Sequence, residues 1–123
     1  MNKGDFISEI EEEPKDVFVV VHLYQKYVDE CMKLNRIFSQ LSKKYSTTKF
    51  FKIISTEAIS RYDDIALPTV LIYKGGEQFA TLVRFTDNFG KNFNESSVAY
   101  FLAKSGFIDI DKNEMEELKK EAI

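Results

Sequence analysis

Runs of apolar residues along the chain predict alternating strands and helices. Residues 17–21 (Val-Phe-Val-Val-Val) are apolar without interruption, which is typical of a central parallel strand covered on both faces. Apolar residues then recur at steps of three and four, which predicts a long helix over residues 26–45. A second apolar run over residues 50–54 predicts another strand. Strand, helix and strand together predict a right-handed βαβ unit.

The second half of the chain predicts a hairpin followed by a helix. Strands are predicted over residues 69–73 and 78–85, separated by a glycine pair at 75 and 76. Paired glycines readily adopt the positive φ angles of a tight hairpin turn. A helix is predicted over residues 95–104, with Gly106 as its stop signal. Residues 3–13 are predicted to form a short amphipathic helix that ends before Pro14. Residues 55–64 give only a weak helical signal.

This order of elements predicts an α/β domain with a mixed four-stranded sheet flanked by helices. The layout, βαβ followed by ββα, resembles the thioredoxin fold. After Phe107 the composition shifts, and Asp111 to Glu114 resembles a capping box at the start of a charged helix. We therefore predict a thioredoxin-like domain over residues 1–108 and a charged C-terminal helical tail over residues 109–123 that lies outside the core.

Composition excludes several classes of function. The chain has 123 residues, of which 44% are hydrophobic and 30% charged, as expected of one globular domain. Its 17 basic and 20 acidic residues give a net charge of −3, which is not the basic footprint of a nucleic-acid-binding or membrane-surface protein. No apolar run reaches the ~20 residues of a membrane span. We predict a cytoplasmic protein without nucleic-acid or membrane partners.

The candidate chemistry centres on the chain's single cysteine. One Cys and one His exclude an internal disulfide and a Cys/His zinc site, and we predict neither a metal nor a cofactor. Redox members of the thioredoxin fold carry Cys-x-x-Cys between the first strand and the long helix, where the first thiolate attacks a disulfide. The corresponding residues here are Val28, Asp29, Glu30 and Cys31. We predict that Cys31 is a buried structural residue, and the alternative is a thiol-dependent oxidoreductase that uses Cys31 alone.

The other chemically active side chains favour structural roles. Leu67, Pro68 and Thr69 precede the third strand, where the fold places a cis-proline loop, and we predict a cis bond there. His22 has no neighbouring nucleophile and is predicted as a hydrogen-bonded structural residue. Asn94 is predicted as a helix cap, and the pair Asp63 and Asp64 as solvated turn residues. No catalytic residues are predicted, so we expect the protein not to be an enzyme.

Longer strings of sequence resemble a known family. They are Val-Val-Val-His-Leu-Tyr at 19–24, Lys-Phe-Phe-Lys-Ile-Ile-Ser-Thr at 49–56, Leu-Pro-Thr at 67–69 and Lys-Ser-Gly-Phe-Ile at 104–108. Together with Cys31 and the hairpin over 73–76, these strings resemble the thioredoxin-like domain of phosducin-like proteins. The resemblance covers roughly residues 4–108 and is closest to the 2/3 branch.

The resemblance implies a redox-inactive interaction domain of a co-chaperone. Its implied partners are the cytosolic chaperonin CCT and the clients of CCT (actin, tubulin and G-protein β-type proteins), with G-protein βγ as a further partner. The family's helical N-terminal domain is not part of these 123 residues, and we expect either an excised domain or a truncated relative. No contact residues are transferred from the family. Another redox-inactive thioredoxin-like adaptor, such as the spliceosomal one, remains an alternative.

Overall fold

The computed structural model describes residues 3–122, so residues 1, 2 and 123 of the predicted domain and tail lie outside the described residues. The elements are α1 (Lys3–Glu12), β1 (Phe18–Tyr24), α2 (Asp29–Lys44), β2 (Lys49–Ile54), α3 (Ser55–Ala58), β3 (Thr69–Lys74), β4 (Glu77–Leu82), α4 (Glu95–Lys104) and α5 (Lys112–Glu121). Two 3₁₀ turns lie at Asp64–Ala66 and Phe85–Asn88. Among the helices of residues 3–122, none has both the length and the apolar composition needed to cross a membrane.

The strands form one mixed sheet in the order β2-β1-β3-β4. Strand β1 is parallel to β2 and antiparallel to β3, and β3 pairs antiparallel with β4. The predicted interior position of the first strand and the predicted hairpin are therefore confirmed. At the hairpin turn, Gly75 and Gly76 have φ angles of 62° and 79°, which is the conformation that favours a glycine pair.

Helices cover both faces of the sheet, which explains why residues 18–21 of β1 are apolar without interruption. Val20 faces a larger cluster formed with α2 and α4, whereas Val19, Val21 and Leu23 face a smaller cluster formed with α1 and α3. Successive side chains of a strand point to opposite faces. The apolar run over residues 18–21 therefore needs helices on both sides of the sheet, and this arrangement is the one observed.

Two predicted boundaries are wrong. The last strand was predicted to continue to Phe85, but β4 ends at Leu82 and Arg84 adopts a left-handed conformation with φ of 52°. The amides of Arg84 and Phe85 donate instead to the carbonyls of Ala66 and Pro68, at 3.1 and 2.8 Å. These bonds to a distant loop replace the strand ladder. The long helix begins at Asp29 rather than at residue 26, because Val28 is extended.

The prediction that the C-terminal tail lies outside the core is also wrong. A helix does form there, with the side chain of Asp111 accepting a 2.8 Å hydrogen bond from the amide of Glu114. Leu118 is buried in the larger cluster, and α5 packs against α4. The Tyr45 hydroxyl donates to a Glu114 carboxylate oxygen at 2.9 Å. The thin apolar stripe of α5 is therefore enough to dock the helix on the domain.

Candidate functional site

The first turn of α2 contains the four residues predicted at the Cys-x-x-Cys position. Val28 is the cap residue, with φ of −103° and ψ of 107°, and Asp29 is the first helical residue. The amide of Cys31 donates to the Val28 carbonyl oxygen at 3.0 Å. A helix N-terminus stabilises negative charge, yet the side chain at position 28 is aliphatic. This position therefore holds no group that could attack a disulfide.

Cys31 is fully buried beneath this turn, with an exposed fraction of 0%. It lies in the smaller cluster with Val21 and Leu67. Leu34, Phe38 and Leu41 of the same helix face the larger cluster. Burial raises the pKa of the Cys31 thiol, and the nearby Glu30 carboxylate raises it further, against a hydrogen bond from the Gln25 backbone that lowers it. A buried thiol with a raised pKa is a poor nucleophile.

The predicted proline loop lies against the same cluster. The Leu67–Pro68 peptide bond is cis, and Leu67, Pro68 and Thr69 are all buried. The Thr69 hydroxyl donates to the Ala66 carbonyl oxygen at 2.7 Å and lies 2.7 Å from the Tyr62 hydroxyl. These hydrogen bonds fix the loop that precedes β3.

Arg84 connects this loop to the first turn of α2. Its guanidinium donates to the Leu67 carbonyl oxygen at 2.6 Å and pairs with Asp87 at 3.0 Å. The same group lies 3.8 Å from the carboxylate of Glu30, which also accepts a hydrogen bond from the Thr86 hydroxyl. The two carboxylates raise the pKa of Arg84. Sequence reasoning missed this residue, because neither its left-handed backbone nor its distant partners leave a local signal.

Exposed apolar side chains surround these buried residues. Tyr27, Ile65 and Val83, which we call the exposed rim, have exposed fractions of 67%, 77% and 53%. The Tyr27 hydroxyl donates to a carboxylate oxygen of Asp64 at 2.6 Å, and Asp64 is the residue that precedes Ile65. Val83 precedes Arg84, and the Arg84 amide donates to the carbonyl oxygen of Ala66, the residue after Ile65. Exposed apolar side chains grouped in this way are typical of protein contact surfaces.

The remaining predicted residues have structural roles. His22 is buried, and its Nδ1 atom lies 2.7 Å from the Asn35 side-chain oxygen. Burial lowers the pKa of His22 to about 4. Asn94 caps α4 by accepting from the amide of Ser97 at 2.9 Å, and Asp63 accepts from the amide of Ile65 at 3.0 Å. Within residues 3–122, no group of three or more His, Cys, Asp or Glu side chains could hold a metal ion.

This sheet, with a helix N-terminus tied to a cis-proline loop, defines a thioredoxin-like domain in which Val28 caps the long helix. The fold is similar to the solution structure of oxidised thioredoxin from Plasmodium falciparum, with a TM-score of 0.61 at 21% identity over 85% of this chain and 92% of that one. The predicted fold class is thereby confirmed. The family profile described as Phosducin matches residues 1–122. The chain belongs to the phosducin family, as its sequence strings predicted.

Individual relatives carry several phosducin-like names. The chain is 40% identical over 108 residues to phosducin-like protein 1 of Dictyostelium discoideum, covering 88% of this chain and 34% of that protein. It is 32% identical over 119 residues to phosducin-like protein 3 of Mus musculus, covering 97% and 48%. It is 33% identical over 122 residues to phosducin-like protein 2 of Dictyostelium discoideum, covering 93% and 51%. The chain thus spans about a third to a half of these relatives, and the 2/3 branch stays a prediction.

Proposed function

We propose that this phosducin-family domain is a non-catalytic binding module that regulates protein folding by the cytosolic chaperonin CCT. The observation that carries the proposal is the aliphatic cap residue Val28 of α2, which we predict to occupy the position where a thioredoxin-like enzyme needs its attacking thiolate. The clients would be actin, tubulin and G-protein β-type proteins, G-protein βγ would be a further partner, and the protein would act in the cytoplasm. These partners come from the family resemblance.

The geometry around Val28 supports a contact surface. Arg84 joins the first turn of α2 to the cis-proline loop, and Thr86 donates to Glu30 of the same turn, so these contacts connect the segments beneath the exposed rim. A preorganised surface binds with less loss of conformational entropy. Tyr27 and Ile65 leave most of their apolar area exposed to water, and burial of this area against a partner would favour binding.

Acidic side chains add an electrostatic component to the proposed contact. The acidic residues within 9–16 and 109–121 are the candidates for steering an encounter with a basic surface. In the tail, Glu114 and Glu121 already accept hydrogen bonds from Tyr45 and Ser96. The exposed carboxylates at 9–16 are therefore the stronger candidates for this role.

The proposal is tested by affinity capture of the tagged full-length protein from eukaryotic lysate, at low and at moderate salt. We expect CCT subunits in the eluate at both salt levels, and less CCT with the rim variant Tyr27→Ser/Ile65→Ser. The matched control is Ile7→Ser/Phe79→Ser, which changes apolar residues exposed elsewhere, at 44% and 63%. Absence of CCT subunits at both salt levels contradicts the proposal, and capture of splicing proteins instead favours the adaptor alternative.

Capture with residues 1–123 alone shows whether this domain is sufficient for the contact. If the full-length protein captures CCT and residues 1–123 do not, another part of the protein carries the interaction.

The oxidoreductase alternative is tested separately by insulin reduction. Because Cys31 is buried and residue 28 has no thiol, we expect no turnover above the dithiothreitol background. Turnover that disappears in Cys31→Ala would contradict a non-catalytic role.

A further inference from the structure

An open groove lies along the 88–94 loop, and neither Glu30 nor Arg84 lines it. Its volume is about 560 Å³, which lies in the range of ligand-binding clefts. The walls come from this loop, from the exposed face of α4 and from the C-terminal end of α5. We call it the lysine groove, and its charged and aromatic lining residues are Lys91, Lys104, Lys119, Phe89, Phe93, Tyr100 and Phe101.

The charge of the lysine groove is opposite to that of the whole chain. Among the residues that the structure describes, the three lysines are the only Lys, Arg, Asp or Glu side chains that line the groove, whereas the chain has a net charge of −3. Within the described residues 3–122, Lys91, Lys104 and Lys119 form no salt bridge. Lys33 contacts the same loop from outside the groove lining, with its Nζ atom 3.4 Å from the Lys91 carbonyl oxygen and 4.0 Å from the centroid of the Phe93 ring.

Aromatic rings form the floor between these charges. The ring of Phe89 lies 5.7 Å from Phe101 and 6.1 Å from Phe93, measured between ring centroids. Phe93 is buried, but Phe89, Tyr100 and Phe101 are only partly buried and offer apolar area to a ligand. The groove therefore combines an apolar floor with a positively charged border.

The donors in the groove favour carboxylates over phosphate. Phosphate sites commonly use the free amides of a helix N-terminus. At the start of α4 the Ser97 amide already donates to Asn94, and the Ser97 hydroxyl accepts from the Asn94 amide. The cations are separated lysines, without the bidentate guanidinium that matches phosphate. Separated point charges fit carboxylates distributed along a peptide.

We propose that the lysine groove binds an acidic segment of a partner protein. An apolar side chain of that segment lies on Phe89 and Phe101, and flanking Asp or Glu side chains pair with Lys91, Lys104 and Lys119. This contact is separate from the exposed rim and goes beyond the function proposed above. A groove variant and a rim variant therefore report on different surfaces.

The probe is the fluorescein-labelled peptide EEFEELEE, and the control peptide has Gln in place of every Glu. Titration of ¹⁵N-labelled protein should shift amides in residues 89–94 and 100–104, and fluorescence anisotropy should show about tenfold weaker binding of the control peptide. Absence of binding, or amide shifts confined to other surfaces, would overturn the proposal. Displacement of the peptide by equimolar pyrophosphate would overturn it in favour of a phosphate site.

Matched charge variants locate the contact. Lys91→Gln/Lys104→Gln/Lys119→Gln should weaken peptide binding by about tenfold, the combined effect of three exposed ion pairs. Lys43→Gln/Lys49→Gln/Lys112→Gln removes the same charge from exposed positions elsewhere and should change affinity by less than about twofold. Thermal melts verify that both variants are folded. Equal loss of affinity in the two variants would overturn the groove as the site.

Discussion

The thiol of Cys31 should be strongly protected from reagents in the native protein. Its exposed fraction is 0%, so dithionitrobenzoate can reach it only after the first turn of α2 opens. A local opening that costs about 3 kcal/mol lowers the reaction rate by about 100-fold. We expect at least this difference between native protein and protein unfolded in urea.

The raised pKa of Cys31 acts in the same direction. The ordinary pKa of this thiol is 9.0, so only about 1% of an unperturbed thiol is thiolate at neutral pH. Burial and Glu30 raise the pKa above that value, so the native thiolate fraction is smaller still. The folded state favours the protonated thiol, and its contribution to stability is retained below the unfolded pKa and lost as pH rises above it.

The assay follows release of thionitrobenzoate by absorbance. The control is Ser46→Cys/Cys31→Ala, which places the only thiol in an exposed turn and should react about as fast as an unfolded thiol. Native Cys31 that reacts within about tenfold of this control would refute the burial and pKa reasoning. Cys31→Ser should lower the free energy of unfolding by about 1 kcal/mol, since a hydroxyl replaces sulfur in an apolar cluster.

Three further predictions concern stability measured by urea unfolding. The pKa of His22 is about 4 in the folded state against an ordinary 6.5, so on acidification the unfolded state binds a proton first. The free energy of unfolding should therefore fall by up to about 3 kcal/mol as the pH is lowered from 6.5 to 4. An equal fall in His22→Gln would contradict this. Arg84→Ala should lower the free energy of unfolding by about 2 kcal/mol, because the hydrogen bond to the Leu67 carbonyl is lost. Arg84→Gly should lower it by about 1 kcal/mol less than Arg84→Ala does, because glycine tolerates the φ of 52° at this position. A larger loss in Arg84→Gly than in Arg84→Ala would refute this reasoning. Leu118→Ala should lower the free energy of unfolding by about 2–3 kcal/mol, and the exposed control Lys112→Ala should lower it by under about 0.5 kcal/mol. An equally small loss in both variants would show that α5 is not docked on the domain.

The parts of the fold with a strong local signal were predictable from the sequence. The unbroken apolar run at 17–21 indicated a covered interior strand, and the glycines at 75 and 76 indicated the hairpin turn. The assignment of Val28, three residues before the only cysteine, to the attacking position stays a prediction. In each case a few neighbouring residues determine the conformation.

The features that the sequence did not reveal depend on distant contacts. Strand β4 ends early because the amides of Arg84 and Phe85 bind the 66–68 loop, and nothing near residue 84 indicates those acceptors. The tail docks through Leu118 and the Tyr45–Glu114 hydrogen bond, which joins residues far apart in the chain. The exposed rim is likewise assembled from three separate segments. Local patterns cannot specify such pairings before the topology is known.

We propose that this thioredoxin-like domain acts by binding and not by thiol chemistry. The most direct test is the equilibrium affinity of the full-length protein for purified CCT, measured by biolayer interferometry for wild type and for Cys31→Ala. We predict binding of both proteins, with dissociation constants that agree within about twofold, because the Cys31 side chain is buried and lies outside any contact surface. Absence of binding by wild type, or binding that is lost with the thiol, would contradict the account.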